Sequence, residues 1–256
     1  MLTGKKGIIF GIANDHSIAW GMAKKLRENG ALLSITYQNE TLLKRVQPLA
    51  EKVDSDLLIE CDFSKQGSIE KCFDKISKKW SSIDFVIHAA AFSDKNELNG
   101  RYIDTSKKNF INTLSISCFS FTKIAYLASS LMKNGGSLVT LSFYGANKVM
   151  PNYNVMGVAK AALETSVKYL SVDLGNKNIR VNAISAGPMR TLAGAVISKS
   201  REVYKFTQEN SPLKRNTNLE ELGNTALYFV SDLSQAVTGE IHFVDCGYNI
   251  IGMPKP

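Results

Sequence analysis

The sequence predicts an α/β protein: a doubly wound, Rossmann-like parallel sheet in a single domain, 1–256. Short, continuously apolar runs alternate with longer amphipathic segments along the whole chain, which is typical of parallel strands covered by helices on both faces. The 256 residues, 44% of them hydrophobic, suffice for one large buried sheet. No internal repeat, low-complexity segment or linker divides the chain.

The elements follow in a regular order. The apolar run 7–10 predicts a buried first strand, and the amphipathic segment 17–28 predicts the helix behind it. The same pairing recurs, and right-handed crossovers then give the doubly wound arrangement. The further predicted strands are 31–37, 57–61, 85–89, 137–142, 180–185 and 241–244. The further predicted helices are 41–52, 68–79, 105–132 as one long helix, 153–174, 200–208 and 219–230.

The charged residues, cysteines and histidines argue against several kinds of site. The net charge is +8, but the lysines and arginines are spread along the chain rather than gathered in a run. This distribution favours a solvated basic surface, so we expect no nucleic-acid partner. The four cysteines form no C-x-x-C pair and the three histidines lie far apart. We therefore expect reduced thiols and no metal site.

The hydropathy pattern indicates the compartment. No uninterrupted apolar run of about twenty residues occurs, which argues against a membrane span. The N-terminal residues run directly into the first apolar strand, without the long apolar region and cleavage site of a signal peptide. We therefore expect a cytoplasmic protein with no membrane partner.

Tyr153 and Lys160 form the most informative pair. They stand seven residues apart on a predicted helix, so both side chains leave one face about 10 Å apart along the axis. The phenol could hydrogen-bond an oxygen that becomes negative during a reaction, while the ammonium holds a neighbouring polar group. The alternative is a tyrosine packed in the core and a solvated lysine.

The turn after the first strand is the expected nucleotide site, because ligands bind beyond the carboxyl ends of parallel strands. Gly11 would let the chain turn sharply, and the small Ala13 and Ser17 would let a pyrophosphate approach the backbone amides. We expect Ser17 to cap the first helix and to donate its hydroxyl to a phosphate. The turn is not a G-x-G-x-x-G motif, and a glycine after a strand is often only a turn.

The ends of the next strands bear on the choice of cofactor. Neither an acid nor an arginine stands at the tip of the second strand, where Gln38 could hydrogen-bond the adenosine. Lys44 and Arg45 lie a turn further on, and we expect NADH rather than NADPH. Asp62 could accept from the adenine amino group and Phe63 could line the ring, although Asp62 could equally serve as a turn or capping aspartate.

At this point the chain closely resembles the FabI-type enoyl-acyl-carrier-protein reductases of the short-chain dehydrogenase/reductase superfamily. The resemblance covers nearly the whole length. The strings specific to that branch are Asn-Tyr-Asn-Val-Met-Gly at 152–157 and Ser-Ala-Gly-Pro-x-Arg-Thr-Leu at 185–192. Supporting strings are Ser-Ile-Ala at 17–19, Thr-Tyr-Gln-Asn at 36–39, Cys-Asp at 61–62 and Arg-Val-Asn-Ala-Ile at 180–184.

The resemblance implies NADH-dependent reduction of the C2–C3 double bond of an enoyl thioester, the last step of fatty-acid elongation. Tyr153 would bind the thioester oxygen and Lys160 the nicotinamide ribose. The expected cofactor-binding residues are Gly11, Ala13, Ser17, Ile18, Gln38, Asp62, Phe63, Ala90, Lys160, Met189, Arg190, Thr191, Leu192 and Ala193. The expected substrate-binding residues are Ala91, Phe92, Ser93, Phe143, Tyr153 and Met156.

The resemblance further implies an acyl carrier protein that delivers the substrate, a homotetramer, and a mobile substrate-binding loop at about 190–208. Three positions depart from the family pattern. Phe143 stands where many members carry a second tyrosine, Ala91 replaces the usual glycine, and Asp-Cys-Gly at 245–247 replaces Asp-Gly-Gly, a change that we interpret as structural.

Two other functions compete with this interpretation. A carbonyl reductase would use Tyr-x-x-x-Lys, and Tyr144 and Lys148 have that spacing. Gly145 and Pro151 argue against a helix through that stretch. A non-catalytic nucleotide sensor could keep the fold, but it would not need the intact Tyr153–Lys160 pair.

Overall fold

A computed structural model describes residues 1–195 and 197–253, with the side chain of Ala193 outside the description. Seven parallel strands form one sheet in the order β3-β2-β1-β4-β5-β6-β7. The predicted doubly wound sheet is confirmed. The strands are β1 Lys6–Phe10, β2 Leu32–Tyr37, β3 Leu57–Glu60, β4 Phe85–His88, β5 Gly136–Phe143, β6 Ile179–Ala186 and β7 Ile241–Val244.

Helices cover both faces of the sheet. The helices are α1 Ile18–Glu28, α2 Glu40–Lys52, α3 Ser68–Lys79, α4 Lys95–Leu98, α5 Lys107–Leu114, α6 Ser120–Leu131, α7 Asn154–Gly175, α8 Leu192–Ala195, α9 Ser200–Asn210 and α10 Leu219–Val230. One apolar core lies beneath α1, α2 and α10 and includes Met22 and Phe229. A second lies beneath α3, α6 and α7 and includes Phe73 and Phe121. The inner strands β1, β2, β4, β5 and β6 are buried between the two, which explains why they are continuously apolar in sequence.

The strand order places a crevice above β1 and β4. The chain winds outward from β1 to β3 and then returns to β4 on the other side of β1. Phe10 at the end of β1 pairs with His88 at the end of β4. Ligands of doubly wound sheets bind at this topological switch point, beyond the carboxyl ends of the strands.

The helix predicted at 105–132 is not continuous. A wider π-helical turn, Ser115–Phe119, separates α5 from α6. In that turn the Ser117 hydroxyl accepts from the Phe92 amide at 3.0 Å and donates to the Phe92 carbonyl at 3.1 Å. The hydroxyl of Ser120 donates to the Ile116 carbonyl at 2.7 Å. The two Ser117 bonds hold the loop after β4 against the helix, and local sequence periodicity does not reveal them.

The same stretch meets the length and apolarity of a membrane-spanning helix. It runs through Lys107–Leu131, and its most apolar window has a mean hydropathy of 1.2. On one side Phe121, Ile124 and Ala125 are fully buried in the core beneath α6. A long helix that packs on a sheet can have this composition, and 39% of that window is buried here.

The helix that carries the Tyr153–Lys160 pair begins one residue later than predicted. Tyr153 precedes α7, and its neighbours Asn152 and Asn154 adopt left-handed backbone conformations with φ of 57° and 37°. Asparagine tolerates this region better than most residues. The turn therefore directs Tyr153 from a bend rather than from a helical surface.

Candidate active site

A cavity of about 1150 Å³ lies beyond the carboxyl ends of β1, β4, β5 and β6 and extends beneath α9. This volume is sufficient for a large ligand. Most of the predicted site residues line it together. They are Gly11, Ala13, Ser17, Ile18, Ala91, Phe92, Ser93, Phe143, Tyr153, Met156, Lys160, Met189, Arg190, Thr191 and Leu192.

Gly11 makes the turn after β1 possible. Its φ is +99°, and a Cβ atom there would lie 2.4 Å from the Ala89 carbonyl oxygen. Any other residue would combine a strained backbone with a collision, so the prediction for Gly11 is confirmed as a sharp turn. Because Gly11 has no side chain, the backbone packs against β4 and the space above it stays open.

The prediction that Ser17 caps α1 is wrong, because its side chain makes no hydrogen bond to the first turn of the helix. Its oxygen instead accepts from the amides of Ala13 at 3.0 Å and Asn14 at 3.1 Å, and its hydroxyl lies 3.3 Å from Asn14 Oδ1. Ser17 therefore fixes the shape of the loop. Ile18, the first residue of α1, also lines the cavity, so the positive end of the helix dipole lies at its wall.

Four predicted cofactor residues lie outside the cavity: Gln38, Asp62, Phe63 and Ala90, with Ala89 lining the cavity next to the last of these. Asp62 Oδ1 accepts from Gln38 at 3.3 Å and from the Ser64 amide and hydroxyl at 3.0 and 2.7 Å. Burial raises the pKa of Asp62, but the hydrogen bonds from Ser64 and Gln38 outweigh burial and lower that pKa overall. Asp62 is thus a turn aspartate that is already bonded to Gln38 at the tip of β2.

Tyr153 is held in an apolar socket. Its side chain is only 7% exposed, and its ring meets the Phe143 ring edge to face, with 5.0 Å between centroids. Gly145 makes room for it, since a Cβ atom there would lie 2.5 Å from Tyr153 Cδ1. Burial raises the pKa of Tyr153 well above its usual range, and the negative charge of Glu164 adds to the increase. Tyr153 therefore keeps its proton at neutral pH and can donate a hydrogen bond.

Lys160 is also buried, at 6% exposure, and lines the same cavity. Its Nζ atom donates to the Leu141 carbonyl at 2.7 Å, which fixes the ammonium at the end of β5. Burial lowers the pKa of Lys160 to about 8, against the opposing influence of Cys118 and Glu164. A lysine that is buried and tuned in this way at a cavity wall is a functional-site candidate, and the alternative of a solvated lysine is wrong.

Several lining residues were not predicted. Leu98 of α4, Met150 before the Tyr153 turn and Ile197 pack around Tyr153 and Met156 and extend the apolar wall. They come from three separate connections with no common sequence pattern, so only the fold brings them together.

The predicted loop 190–208 contains α8, most of α9 and the turn between them. Of the predicted cofactor residues here, Ala193 lies in α8 but its side chain is outside the described part of the chain. The Arg190 guanidinium lies 4.5 Å from the centre of the Tyr204 ring. This cation–π contact joins the segment between β6 and α8 to α9. Both residues line the cavity, and Tyr204 belongs to the predicted loop, although the sequence analysis did not single it out.

The site fits a dinucleotide beside a second, apolar ligand. The Gly11 turn and the start of α1 offer a pyrophosphate close backbone approach. Tyr153 and Lys160 place a phenol and an ammonium on the wall of the same cavity. Within residues 1–195 and 197–253 no group of three or more His, Cys, Asp or Glu side chains could hold a metal ion. The fold and the site thus define a nucleotide-dependent oxidoreductase of the short-chain dehydrogenase type.

Comparison with known proteins specifies the class further. The family model for enoyl-(acyl carrier protein) reductase matches residues 11–249. Enoyl-(acyl-carrier-protein) reductase (NADH) 2 of Rhizobium meliloti is 58% identical over 99% of this chain and 95% of its own length. The crystal structure of FabI from Candidatus Liberibacter asiaticus superimposes with a TM-score of 0.97 at 56% identity, over 99% of this chain and 98% of that one.

A second solved structure, the Anaplasma phagocytophilum enoyl-(acyl-carrier-protein) reductase in complex with NAD, has a TM-score of 0.96 at 56% identity and covers 100% of this chain and 97% of that one. The present chain belongs to the enoyl-acyl-carrier-protein reductase family. The predicted fold, oxidoreductase class and NADH-dependent reduction of enoyl thioesters in fatty-acid elongation are confirmed with it.

Proposed function

We propose that Tyr153 and Lys160 carry out the enoyl reduction. The observation behind this proposal is their shared position: two buried side chains, one phenol and one ammonium, on the wall of a single large cavity. When bound, NADH supplies the hydride that reaches C3 of the substrate. Tyr153 donates a hydrogen bond to the thioester oxygen, which becomes enolate-like as the hydride arrives.

Lys160 has a binding role in this scheme. Its ammonium holds the hydroxyls of the nicotinamide ribose, while the bond to the Leu141 carbonyl prevents it from swinging away. The positive charge also favours negative charge on the nearby substrate oxygen. Because both groups are buried, water does not screen these interactions.

The remaining cofactor contacts follow the cavity wall. The turn at Gly11, with Ala13, Ser17 and Ile18, would accommodate the pyrophosphate, and the segment 189–193 would lie along the nicotinamide side. The bonded pair Gln38 and Asp62, with Phe63 beside them, would receive the adenosine end beyond the cavity.

The acyl chain would lie against the apolar part of the cavity. Phe92, Phe143 and Met156, joined by Leu98 and Met150, form a wall suited to a hydrocarbon chain. Ala91 and Ser93 belong to the same wall. The segment 190–208 would act as the mobile substrate-binding loop that closes over the chain and excludes water.

Three wider proposals accompany the site. Acyl carrier protein delivers the substrate, and the protein works in the cytoplasm without a nucleic-acid or membrane partner. The chain forms a homotetramer, for which exposed apolar side chains of α5, the π-helical turn, α6 and α7 offer surface. They are Ile111, Phe119, Tyr126, Tyr169 and Val172. Patches of this kind commonly mark protein interfaces, and sedimentation of the purified protein measures the assembly.

The test of the function is NADH oxidation with crotonyl thioester, followed by the loss of absorbance of the reduced nicotinamide. Acetoacetyl thioester is the control, since a carbonyl reductase would consume it instead. A nucleotide sensor would bind NADH and oxidise it with neither substrate. We expect turnover of the crotonyl thioester alone.

A further inference from the structure

Glu164 is a buried carboxylate that touches neither the cavity nor the proposed reacting groups. It lies on α7, one helical turn after Lys160, and is 9% exposed. One of its oxygens accepts from the Ser142 hydroxyl at 2.5 Å, and the other accepts from the Asn147 side-chain amide at 3.0 Å. Burying a carboxylate is costly unless its hydrogen bonds are made. These two bonds connect α7 with the end of β5 and the turn that follows it.

The two partners of Glu164 bracket the socket of Tyr153. Between Ser142 and Asn147 the chain leaves β5 and makes a short 3₁₀ turn, Tyr144–Ala146. Phe143 in this stretch meets the Tyr153 ring edge to face at 5.0 Å. Gly145 lies so close to the same ring that a Cβ atom would be 2.5 Å from it. The segment 142–147 therefore forms two walls of the socket.

We propose that Glu164 is a positioning residue for the reaction: it clamps both ends of segment 142–147 and so holds the Tyr153 ring where its hydroxyl meets the substrate. The inference rests on the catalytic role proposed above for Tyr153. A hydroxyl displaced by about 1 Å loses much of its effect on a transition state. The clamp should therefore act on kcat and, at a pH where Lys160 is fully protonated, leave the affinity for NADH nearly unchanged.

The charge of Glu164 supports the same arrangement. It opposes ionisation of Tyr153 and favours the ammonium of Lys160, so it raises the pKa of both groups. The other titratable groups that interact with Lys160 are Cys118, which also raises its pKa, and His88, which is itself kept neutral. Loss of the Glu164 charge should therefore lower the pKa of Lys160. The affinity for NADH, which we expect to fall as Lys160 loses its proton, should then begin to fall at a lower pH.

A donor–acceptor exchange tests the clamp. Asn147→Asp places a second carboxylate against Glu164, and we expect kcat with crotonyl thioester to fall about tenfold. Glu164→Gln alone should lower kcat a few-fold. In the double variant the new amide can donate to the new carboxylate while still accepting from Ser142. We expect the double variant to recover to within about threefold of the wild type, which is the non-additivity expected of residues in contact.

The controls separate this role from general loss of structure. Asp173→Asn removes a carboxylate from an exposed position of the same helix and should leave kcat, the NADH affinity and its pH profile unchanged. Asn147 is exposed, so the Asn147→Asp variant should fold normally, and thermal melting verifies this. If Asn147→Asp nevertheless melts early, the cycle is repeated with Asn147→Ala. In the Glu164→Gln background, Asn147→Ala should then lower kcat much less than it does in the wild type.

A Tyr153→Phe background distinguishes the clamp from the catalytic role. In that background Asn147→Asp should cost little further rate, because the hydroxyl that it displaces is already gone. An equal loss in both backgrounds, or additive effects in the exchange, would overturn the positioning role of Glu164 while leaving Tyr153 intact. A near-normal rate for Tyr153→Phe by itself would instead refute the proposed catalytic role.

Discussion

The ring of Tyr153 meets the ring of Phe143 at 65° between planes, with 5.0 Å between centroids. The edge-to-face arrangement fixes the phenol ring without using its hydroxyl. Phe143 has no proton to give, so it contributes shape where a second tyrosine would contribute a donor. In the proposed mechanism the hydroxyl of Tyr153 is therefore the group that donates a hydrogen bond to the charge developing on the substrate.

Tyr153→Phe should lower kcat by about 10²–10³-fold, because a lost donor to a developing negative charge typically costs this much. NADH affinity should change little, since the interaction arises mainly in the transition state. Steady-state kinetics with crotonyl thioester and a fluorescence titration with NADH measure the two effects. Tyr144→Phe is the matched control, because the Tyr144 ring packs against Phe243 and Tyr248 instead. A slow Tyr144→Phe beside a normal Tyr153→Phe would transfer the role to Tyr144.

NADH binding should weaken as the pH rises through about 8. Burial lowers the pKa of Lys160 to about 8, so the ammonium that we propose binds the ribose is present below that pH and is lost above it. Titrating NADH by fluorescence between pH 6 and 9.5 tests this. Lys160→Ala should bind NADH weakly at every pH, without the loss of affinity around pH 8 that we expect of the wild type. If the wild type and the variant had the same pH profile, another group would be responsible.

NADH should be a better cofactor than NADPH by about tenfold or more in kcat/KM, a difference of about 1.4 kcal/mol. At the tip of β2, Gln38 is bonded to Asp62, and the exposed Glu40 begins α2 where a 2′-phosphate would lie. Glu40→Gln should improve NADPH use selectively, whereas Glu51→Gln at the far end of α2 should not. A clear preference for NADPH would mean that Lys44 or Arg45 reaches the phosphate.

The protein should lose stability in mild acid because of His88. The imidazole is fully buried between Thr140 and Ser120, at 2.8 and 2.9 Å, and stacks on Phe63. Burial lowers the pKa of His88 to about 3, with a contribution from the charge of Lys160. Below pH 6.5 the unfolded chain takes up a proton that the folded protein refuses, so stability is complete above that pH and falls progressively towards pH 3.

Between pH 7.5 and 5 this linkage costs roughly 2 kcal/mol, at about 1.4 kcal/mol for each pH unit below 6.5. Thermal melting at the two pH values measures it. His88→Asn should melt earlier at neutral pH but show a flatter dependence on pH, whereas His16→Asn, at an exposed position, should keep the wild-type slope. A wild-type slope in His88→Asn would assign the acid sensitivity to other groups.

The sheet could be predicted almost completely because each strand is a short apolar run, and the five inner strands are buried on both faces. The predicted limits of the sixth strand, for example, fall one residue inside Ile179–Ala186 at each end. The interrupted helix before β5 could not be predicted. Its π turn depends on bonds from the Ser117 hydroxyl to residue 92, which is distant in sequence and supplied only by the fold.

Residues of the site could be predicted where a short motif fixes the backbone. They could not be predicted where separate segments meet only in the folded chain. Gly11 could be identified from its place after the first strand. Leu98 and Met150 could not, because the very short helix α4 and the irregular segment before Tyr153 show no hydrophobic periodicity. Ser17 is a third case: it lines the cavity, but the prediction that its side chain caps α1 was wrong. Its hydroxyl oxygen could accept from the amides of the preceding loop or from those of the first helical turn. It accepts from the loop amides of Ala13 and Asn14.

Lys199 and Arg201 lie at the start of α9, beside the mouth of the cavity. Lys199 precedes the helix with φ of 60°, and its ammonium is 3.9 Å from Glu202. Its side chain is largely exposed, and Arg201 lines the cavity with an exposed side chain. Exposed ion pairs of this length contribute little to stability. Both cations are therefore available to an acidic carrier protein that approaches with its acyl chain.

The double variant Lys199→Glu with Arg201→Glu should raise KM for an acyl-carrier-protein substrate at low salt, and the difference from the wild type should shrink as added salt screens the charges. The small crotonyl thioester needs no docking surface, so its KM should stay nearly unchanged. The control, Lys78→Glu with Lys79→Glu, makes the same change in net charge at exposed positions of α3, far along the sheet from α9, and should affect neither substrate. Equal losses with both substrates would show that the α9 variant had disturbed the cavity, and no loss with either would show that these two cations are ordinary solvated charges.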